Sequence, residues 1–106
     1  MLLPAICRSI GIAFVLVGAW MLAGCGGVIY AVQAHSATEK LEEAAKRKAE
    51  QLAPYEYYLA REHLAKAMQE AAQGDYGDAI DLAVEAEDAA DAALKLTEKA
   101  RRGEGR

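Results

Sequence analysis

The chain has 106 residues, which is enough for at most one domain, and 54% of them are hydrophobic. Only two prolines and one phenylalanine are present, and the many Ala, Glu, Lys and Leu residues predict helices and no strands. The formal net charge of −4 argues against nucleic acid as a partner.

The first 24 residues have the order of a bacterial signal peptide. A short start carries one positive charge, at Arg8, and an unbroken apolar run follows from Ile10 to Met21. Small residues then close the run immediately before Cys25. We therefore predict a signal peptide over residues 1–24, whose removal leaves Cys25 as the first residue of the mature chain.

Leu22-Ala23-Gly24-Cys25 resembles the lipobox of bacterial lipoproteins at all four positions. In that family the cysteine receives a diacylglycerol thioether, the signal peptide is cleaved just before it, and the new amino terminus is acylated. The resemblance implies cleavage between Gly24 and Cys25, and a mature protein that two or three acyl chains hold in a membrane. An alternative is that Ile10 to Val32 stays intact as one transmembrane helix, because the apolar run could extend past Cys25 to the roughly 20 residues that a span needs.

Gly24, Gly26 and Gly27 are unfavourable inside a helix, which argues against the transmembrane alternative.

The residue after Cys25 bears on which membrane receives the lipid. In lipoproteins of two-membrane bacteria an aspartate after the cysteine commonly signals retention in the inner membrane. Gly26 stands at that position, so the resemblance implies the outer membrane, with the domain facing the periplasm.

The folded domain is predicted over residues 36–102, after the lipidated cysteine and a tether at 25–35. Ser36 and Glu39 fit a capping box, which places a first helix at about 36–52. Pro54 suits the first turn of a second helix, at 54–73.

Gly74 and Asp75 predict the reversal into a third helix, at 76–101, since glycine commonly ends a helix and aspartate commonly caps the next. Apolar residues recur in this helix at steps of three and four, which predicts a heptad seam. The seam consists of Ala79, Leu82, Ala86, Ala89, Ala93, Leu96 and Ala100. We expect an all-α fold, with the three helices as an antiparallel bundle or helical hairpin, and a disordered tail at 103–106.

The stretch from Ala53 to about Leu96 carries two further resemblances. Ala53-Pro54-Tyr55-Glu56-Tyr57, Gly74-Asp75-Tyr76 and Ala79-Ile80 resemble small bacterial envelope proteins whose helical domain has no assigned function. Such domains are sometimes linked to proteins with a peptidoglycan-binding domain of the outer-membrane-protein-A type. Gly-Asp-Tyr with the alanines after it also resembles the turn and second helix of a tetratricopeptide repeat. No second copy of the period appears, so we expect a repeat-like hairpin and not an array.

No residue pattern predicts catalysis, a metal site or a cofactor. His35 and His63 lack the glutamate three residues earlier that a di-iron helix uses. The acidic residues over 75–81 lack the central glycine and closing glutamate of a calcium loop and suit helix capping better. Ser36 has only the adjacent His35 beside it, without an orienting acid. We therefore predict a protein that is not an enzyme.

Tyr55, Tyr57, Tyr58 and Leu59 are the candidate partner patch. One helix cannot bury all four on one side, so either the first helix covers them or they form an exposed surface that docks a partner. The favoured function is an envelope interaction or scaffold module that contacts another envelope protein or a second copy of itself.

The alternative function is a structural spacer between the outer membrane and the cell wall, resembling the alanine-rich murein lipoprotein. That protein is linked to the wall through a carboxy-terminal lysine, whereas this sequence ends Gly105-Arg106. The resemblance therefore implies non-covalent binding to peptidoglycan or to its binding proteins.

Overall fold

The computed structural model describes residues 3–22 and 25–103, and these residues are helical almost throughout, with no strand among them. The helices are α1 (Leu3–Leu22), α2 (Cys25–Lys46), α3 (Ala49–Leu52), α4 (Pro54–Ala72) and α5 (Tyr76–Arg101). The predicted all-α class is therefore confirmed.

Helix α1 stands apart from the other helices in an elongated molecule of 83 × 20 × 17 Å. It makes no extensive contact with any other described helix. The side chains over residues 5–17 are exposed, and among them are the apolar Ile10, Phe14 and Val17. Within the part of the chain that the structure describes, no helix combines the length and the hydropathy that a membrane crossing requires.

Helices α2 and α5 run parallel to each other. A side chain at Gly26 in α2 would meet Tyr76, the first residue of α5. At the other end, Nη2 of Arg101 donates a hydrogen bond to the backbone oxygen of Arg47 over 2.9 Å. We call the end with Cys25 and Tyr76 the proximal end, and the end with Arg47 and Arg101 the distal end.

Helix α4 runs antiparallel to both and packs chiefly on α5. Its first turns are distal, because Tyr57 clusters with Ala44 of α2 and Ala93 of α5. Its later turns lie closer to the start of α5, where His63 faces Glu85. Helix α5 therefore contacts both α2 and α4, and the turn after α4 returns the chain to the proximal end.

The core between these helices is built almost entirely of alanine. The residues classed as buried are Ala37, Ala44, Ala49, Ala53, Tyr57, Ala60, Ala67, Ala79, Ala83, Ala86, Ala89, Ala90, Ala93 and Thr97. Leu41, Leu59, Leu94 and Leu96 are half-buried at its margin. Most of the predicted α5 seam is buried or half-buried, but Ala100 is exposed. Because each alanine buries little apolar area, the helices gain stability mainly by approaching closely.

The start of α2 differs from the prediction. Residues 25–35, expected as a tether, are helical, and Ser36 lies inside α2 and does not cap it. The reason is packing against Tyr76, since a Cβ on Gly26 would lie 3.1 Å from the Tyr76 Cβ and one on Gly27 would lie 3.6 Å from its ring. The glycines therefore permit a close approach of two helices.

The helix predicted over 36–52 is interrupted near residue 47. Lys48 adopts a left-handed conformation with φ 64° and ψ 35°, which separates α2 from the short α3. The break turns Ala49 and Ala53 into the core, where both are fully buried. Helix α4 then begins at Pro54, as predicted.

The turn between α4 and α5 confirms the roles predicted for Gly74 and Asp75. Gly74 has φ 84°, and its N–H donates to the oxygen of Ala71 over 3.0 Å. The N–H of Asp75 donates to the oxygen of Glu70 over 2.9 Å, which completes a Schellman-type helix end. The Asp75 carboxylate accepts from the N–H of Asp78 and caps α5. The tail predicted at 103–106 lies outside the described residues, except for Gly103.

Candidate functional site

Cys25 is the first residue of α2, and its side chain is exposed at the proximal end. Its thiol makes no disulfide, and neither does that of Cys7, which is exposed on α1. The predicted cleavage position falls between Gly24 and Cys25, and Gly24 lies outside the described residues. The accessible thiol is open to a modifying group, and lipid attachment there stays a prediction.

Two tyrosine rings meet close to Cys25. The ring centroids of Tyr30 in α2 and Tyr76 in α5 lie 6.3 Å apart, with 42° between the ring planes. Both side chains are half-buried. This contact, together with the close approach at Gly26, fixes the first turn of α5 against the first turns of α2.

The predicted tyrosine patch is divided by the fold. Tyr57 is only 8% exposed and belongs to the alanine core, so it does not form part of an exposed surface. Tyr55 is 67% exposed and Tyr58 is 43% exposed, whereas Leu59 is half-buried. The physical reason is the helical angle, because positions 55, 58 and 59 share a face that position 57 does not.

The residues that stay accessible line a shallow depression near the distal end. Its lining is Pro54, Tyr55, Tyr58, Leu59 and Glu62, which we call the distal patch. Apolar and aromatic side chains dominate this surface, and one acid lies at its edge. Such a surface can bind an apolar side chain of another protein.

Tyr58 is held in place within the distal patch. Its hydroxyl donates to Oε1 of Glu50 over 2.5 Å, and its ring contacts Tyr57 edge to face at 5.4 Å between centroids. The Arg61 guanidinium carbon lies 5.7 Å from the centroid of the Tyr58 ring. The hydrogen bond to Glu50 raises the pKa of Tyr58 above its ordinary value. The aromatic surface is therefore preorganised by α3 and by the next turn of α4.

A polar cluster joins α2 to α5 midway along the domain. Lys40 Nζ lies 2.6 Å from Glu87 Oε1 and 2.7 Å from Asp91 Oδ2. Ser36 donates its hydroxyl to Glu87 over 2.9 Å, and the side-chain amide of Gln33 also donates to Glu87. The hydrogen bonds that Lys40 donates to Asp91 and then to Glu87 raise the pKa of Lys40, and the Lys40 ammonium is the main cause that lowers the pKa of Glu87.

This polar cluster was not predicted, although the sequence contains a signal for it. Gln33, Ser36 and Lys40 recur at steps of three and four on one face of α2, and Glu87 and Asp91 lie four residues apart on α5. Reciprocal polar stripes of this kind indicate a side-chain contact between two helices. The cluster sets the axial register of α2 and α5, since its bonds can form at only one alignment.

The two histidines do not form a common site. His35 Nε2 lies 3.3 Å from Glu39 within α2, and both side chains are mostly exposed. His63 Nδ1 lies 2.9 Å from Glu85 Oε2 but makes no hydrogen bond to it. Each histidine thus lies beside its own carboxylate, His35 on the surface and His63 in a half-buried position.

Glu70, Asp75 and Asp78 bring carboxylate oxygens within 4.8 Å of one another, and this is the one such group among the residues that the structure describes. Asp75 is occupied as the cap of α5, and Glu70 pairs with Lys66 Nζ at 2.7 Å. Asp81, which the sequence placed with these acids, is not part of the group. The arrangement is accounted for by helix capping and one ion pair.

The chain has no significant match among protein-family models, curated proteins or solved structures. The class that its fold and geometry define is an all-α chain with an exposed cysteine at the proximal end and an exposed aromatic patch near the distal end. Its function has to be inferred from these residues themselves.

Proposed function

We propose that this chain is a lipoprotein of the bacterial cell envelope, anchored through lipid on Cys25, whose helical domain is a non-catalytic interaction module. The main observation in support of this proposal is the position of Cys25 in the fold. It is exposed at one end of the domain, after an apolar helix that makes no extensive contact with any other described helix. Cleavage before Cys25 would remove α1 without opening the core, because the described side chains of α1 are exposed.

The module itself is a bundle of α2, α4 and α5, with α4 antiparallel to the other two. Its support is the packing of α5 against both neighbours along the alanine seam. Gly26 in place of an aspartate favours the outer membrane, with the bundle in the periplasm. The distal patch then faces away from the lipid, because the 22 residues of α2 span about 33 Å. A second envelope protein, or another copy of this chain, is the partner that this geometry suits.

Metabolic labelling with palmitate tests the anchor, and the two cysteines supply a matched pair of variants. We expect the wild type and Cys7→Ser to be labelled and Cys25→Ser to be unlabelled. Mass spectrometry of the peptide that begins at Cys25 should show the diacylglycerol and the acylated amine. Equal labelling of Cys25→Ser and Cys7→Ser would refute the anchor.

Site-specific photo-crosslinking in cells tests the interaction module. A photoreactive amino acid at Tyr55, in the distal patch, should give a discrete protein adduct. The control position is Met68, which is 59% exposed on the same helix but belongs to its proximal half. Identical adducts from both positions would show that Tyr55 marks no specific surface.

The alternative, a non-covalent spacer to the cell wall, is favoured by one observation. Basic side chains gather at the distal end, where Lys46, Lys48, Lys99 and Arg101 are exposed. Such a cluster suits the carboxylates of the wall polymer. Retention of the lipoprotein on purified sacculi, lost at high salt, would support the spacer, and no retention would refute it.

A further inference from the structure

We propose that the proximal end of α2 lies in the membrane interface, with the face formed by Cys25, Val28, Ile29 and Val32 in contact with lipid. We call these four residues the proximal strip. The inference rests on the proposed lipidation of Cys25 and adds to it a second, non-covalent contact with the same membrane.

The proximal strip is a continuous apolar face that the domain leaves uncovered. Val28 is 66% exposed, Ile29 is 55% exposed and Val32 is 66% exposed. Relative to Cys25 these residues lie at i+3, i+4 and i+7, the spacing that aligns side chains along one side of a helix. A lipid on Cys25 would therefore extend from the same face of α2 that carries the three aliphatic side chains.

Charge marks where this apolar face ends. No Asp, Glu, Lys or Arg occurs from Cys25 to Thr38, and the same side of α2 then continues with His35, Glu39 and Glu43. From Cys25 to Val32 the helix rises about 10 Å along its axis. With α2 along the membrane normal, this rise matches the depth of about 5–10 Å to which apolar faces enter the headgroup and acyl boundary.

Two tyrosine side chains lie at the same height along the domain as the proximal strip. Tyr30 and Tyr76 form their ring contact beside the strip, and both are half-buried. Tyrosine is enriched at membrane interfaces because its ring is apolar and its hydroxyl is polar. Since Tyr76 begins α5, the ring contact would bring the starts of two helices to the membrane surface.

Lipid suits the strip better than a second copy of the chain does. Three aliphatic side chains expose far less area than the roughly 800 Å² per partner that a stable protein interface buries. An acyl chain on Cys25 would in addition hold the strip beside the bilayer, where a weak apolar contact becomes effectively intramolecular.

The test places an environment-sensitive probe on the full chain. In a Cys7→Ser background, Val28→Cys, Val32→Cys and Glu43→Cys are each labelled with a nitrobenzoxadiazole dye. The purified lipoproteins are then reconstituted into vesicles of phosphatidylethanolamine and phosphatidylglycerol. Glu43 is the matched control, because it lies five turns from Cys25 on the same side of α2.

Probes at 28 and 32 should emit at shorter wavelength than the probe at 43. Lipids with a nitroxide at acyl carbon 5 should quench them roughly twofold, as expected for a probe at the interface. Water-like emission at 28 and 32 in vesicle-bound protein would overturn the inference. Shorter-wavelength emission without nitroxide quenching would also overturn it, because protein and not lipid would then cover the strip.

Mass spectrometry of the Cys25 peptide from the same samples separates this inference from the proposed anchor. Lipid on Cys25 without quenching at 28 and 32 would refute the interface contact alone. Quenching at both positions without lipid on Cys25 would support the contact and refute the anchor.

Discussion

Replacing Glu87 by alanine should destabilise the domain more than any other single loss of a surface charge. Glu87 accepts hydrogen bonds from Ser36, Gln33 and Lys40, all of which belong to α2. Removing the carboxylate would leave these three donors without their common acceptor, at the contact that sets the register of α2 against α5. Lys40 would keep Asp91 at 2.7 Å, so no buried charge would be left alone.

The size of the effect follows from the burial of the cluster. Hydrogen bonds to charged groups contribute about 1.5–3 kcal/mol when buried, whereas exposed ion pairs contribute about 0–1 kcal/mol. The Glu87 side chain is 20% exposed and that of Lys40 is 31% exposed, so each bond lies between these limits. Because Lys40 keeps Asp91 and the other two donors are half-buried and can bond to water, we expect Glu87→Ala to lower the free energy of unfolding by about 2 kcal/mol, less than the sum of three full bonds. In a domain of this size that corresponds to a fall in Tm of roughly 8–16 °C.

The same group gives the domain a specific dependence on pH. Lys40 lowers the pKa of Glu87 below its ordinary value of 4.5 in the folded chain. A carboxylate whose pKa is lowered by folding stabilises the folded chain above its unfolded pKa, and this contribution is lost as the pH falls through the folded pKa. Between about pH 6 and pH 3, the Tm of the wild type should therefore fall more than that of Glu87→Gln.

Thermal unfolding of the full chain in detergent, followed by circular dichroism, measures both effects. The control is Asp88→Ala, which removes an exposed carboxylate from the next position of α5. A Tm for Glu87→Ala within a few degrees of this control would show that the polar cluster adds nothing to stability. Parallel pH profiles of wild type and Glu87→Gln would refute the assigned role of Lys40.

Three further substitutions, one of them with a matched control, test the backbone and the core by the same unfolding measurement. Gly74→Val should cost about 1–2 kcal/mol because φ is 84° there, and an unchanged Tm would contradict the turn. Lys48→Gly should add roughly 0.5 kcal/mol by relieving φ 64°, and a large loss would contradict this. Ala44→Leu should cost about 1–3 kcal/mol through overpacking, whereas Ala45→Leu on the exposed face should be nearly neutral, and equal effects would refute the close seam.

Local signals were sufficient to predict most helix ends. Pro54 begins α4 because its ring presets the backbone angle and its missing N–H is not needed in the first turn. Gly74 and Asp75 end one helix and cap the next through contacts within a few residues. These features depend on neighbours along the chain, so the sequence alone contains their cause.

The start of α2 depends instead on a residue far along the chain. Gly26-Gly27 predicts flexibility when only its neighbours are considered. In the fold, Tyr76 packs on both glycines, and the missing side chains become the condition for a helix contact. The break at Lys48 also depends on residues far along the chain, because no neighbouring glycine or proline accounts for it. It coincides with the burial of Ala49 and with the hydrogen bond that Arg101 donates to Arg47.

The candidate partner patch could be predicted only in part. The helical angle already separated Tyr57 from the other residues, but which face is buried is decided by α2, α3 and α5. The polar cluster could have been predicted more easily, since its two polar stripes are visible in the sequence. Pairing them requires knowing that α2 and α5 are parallel, and that follows from the course of α4 between them.

The packing of Tyr76 on Gly26 and Gly27 also changes what a lipid on Cys25 would do. A flexible tether would let the domain rotate freely above the membrane. A helix that starts at Cys25 and is joined to α5 through Glu87 would instead couple the orientation of such an anchor to the whole domain. The distal patch would then be held about 33 Å from the anchor, the length of α2. The proposed interaction module would then bind only partners that present their surface at that height, and its selectivity would come from geometry as well as from the distal patch.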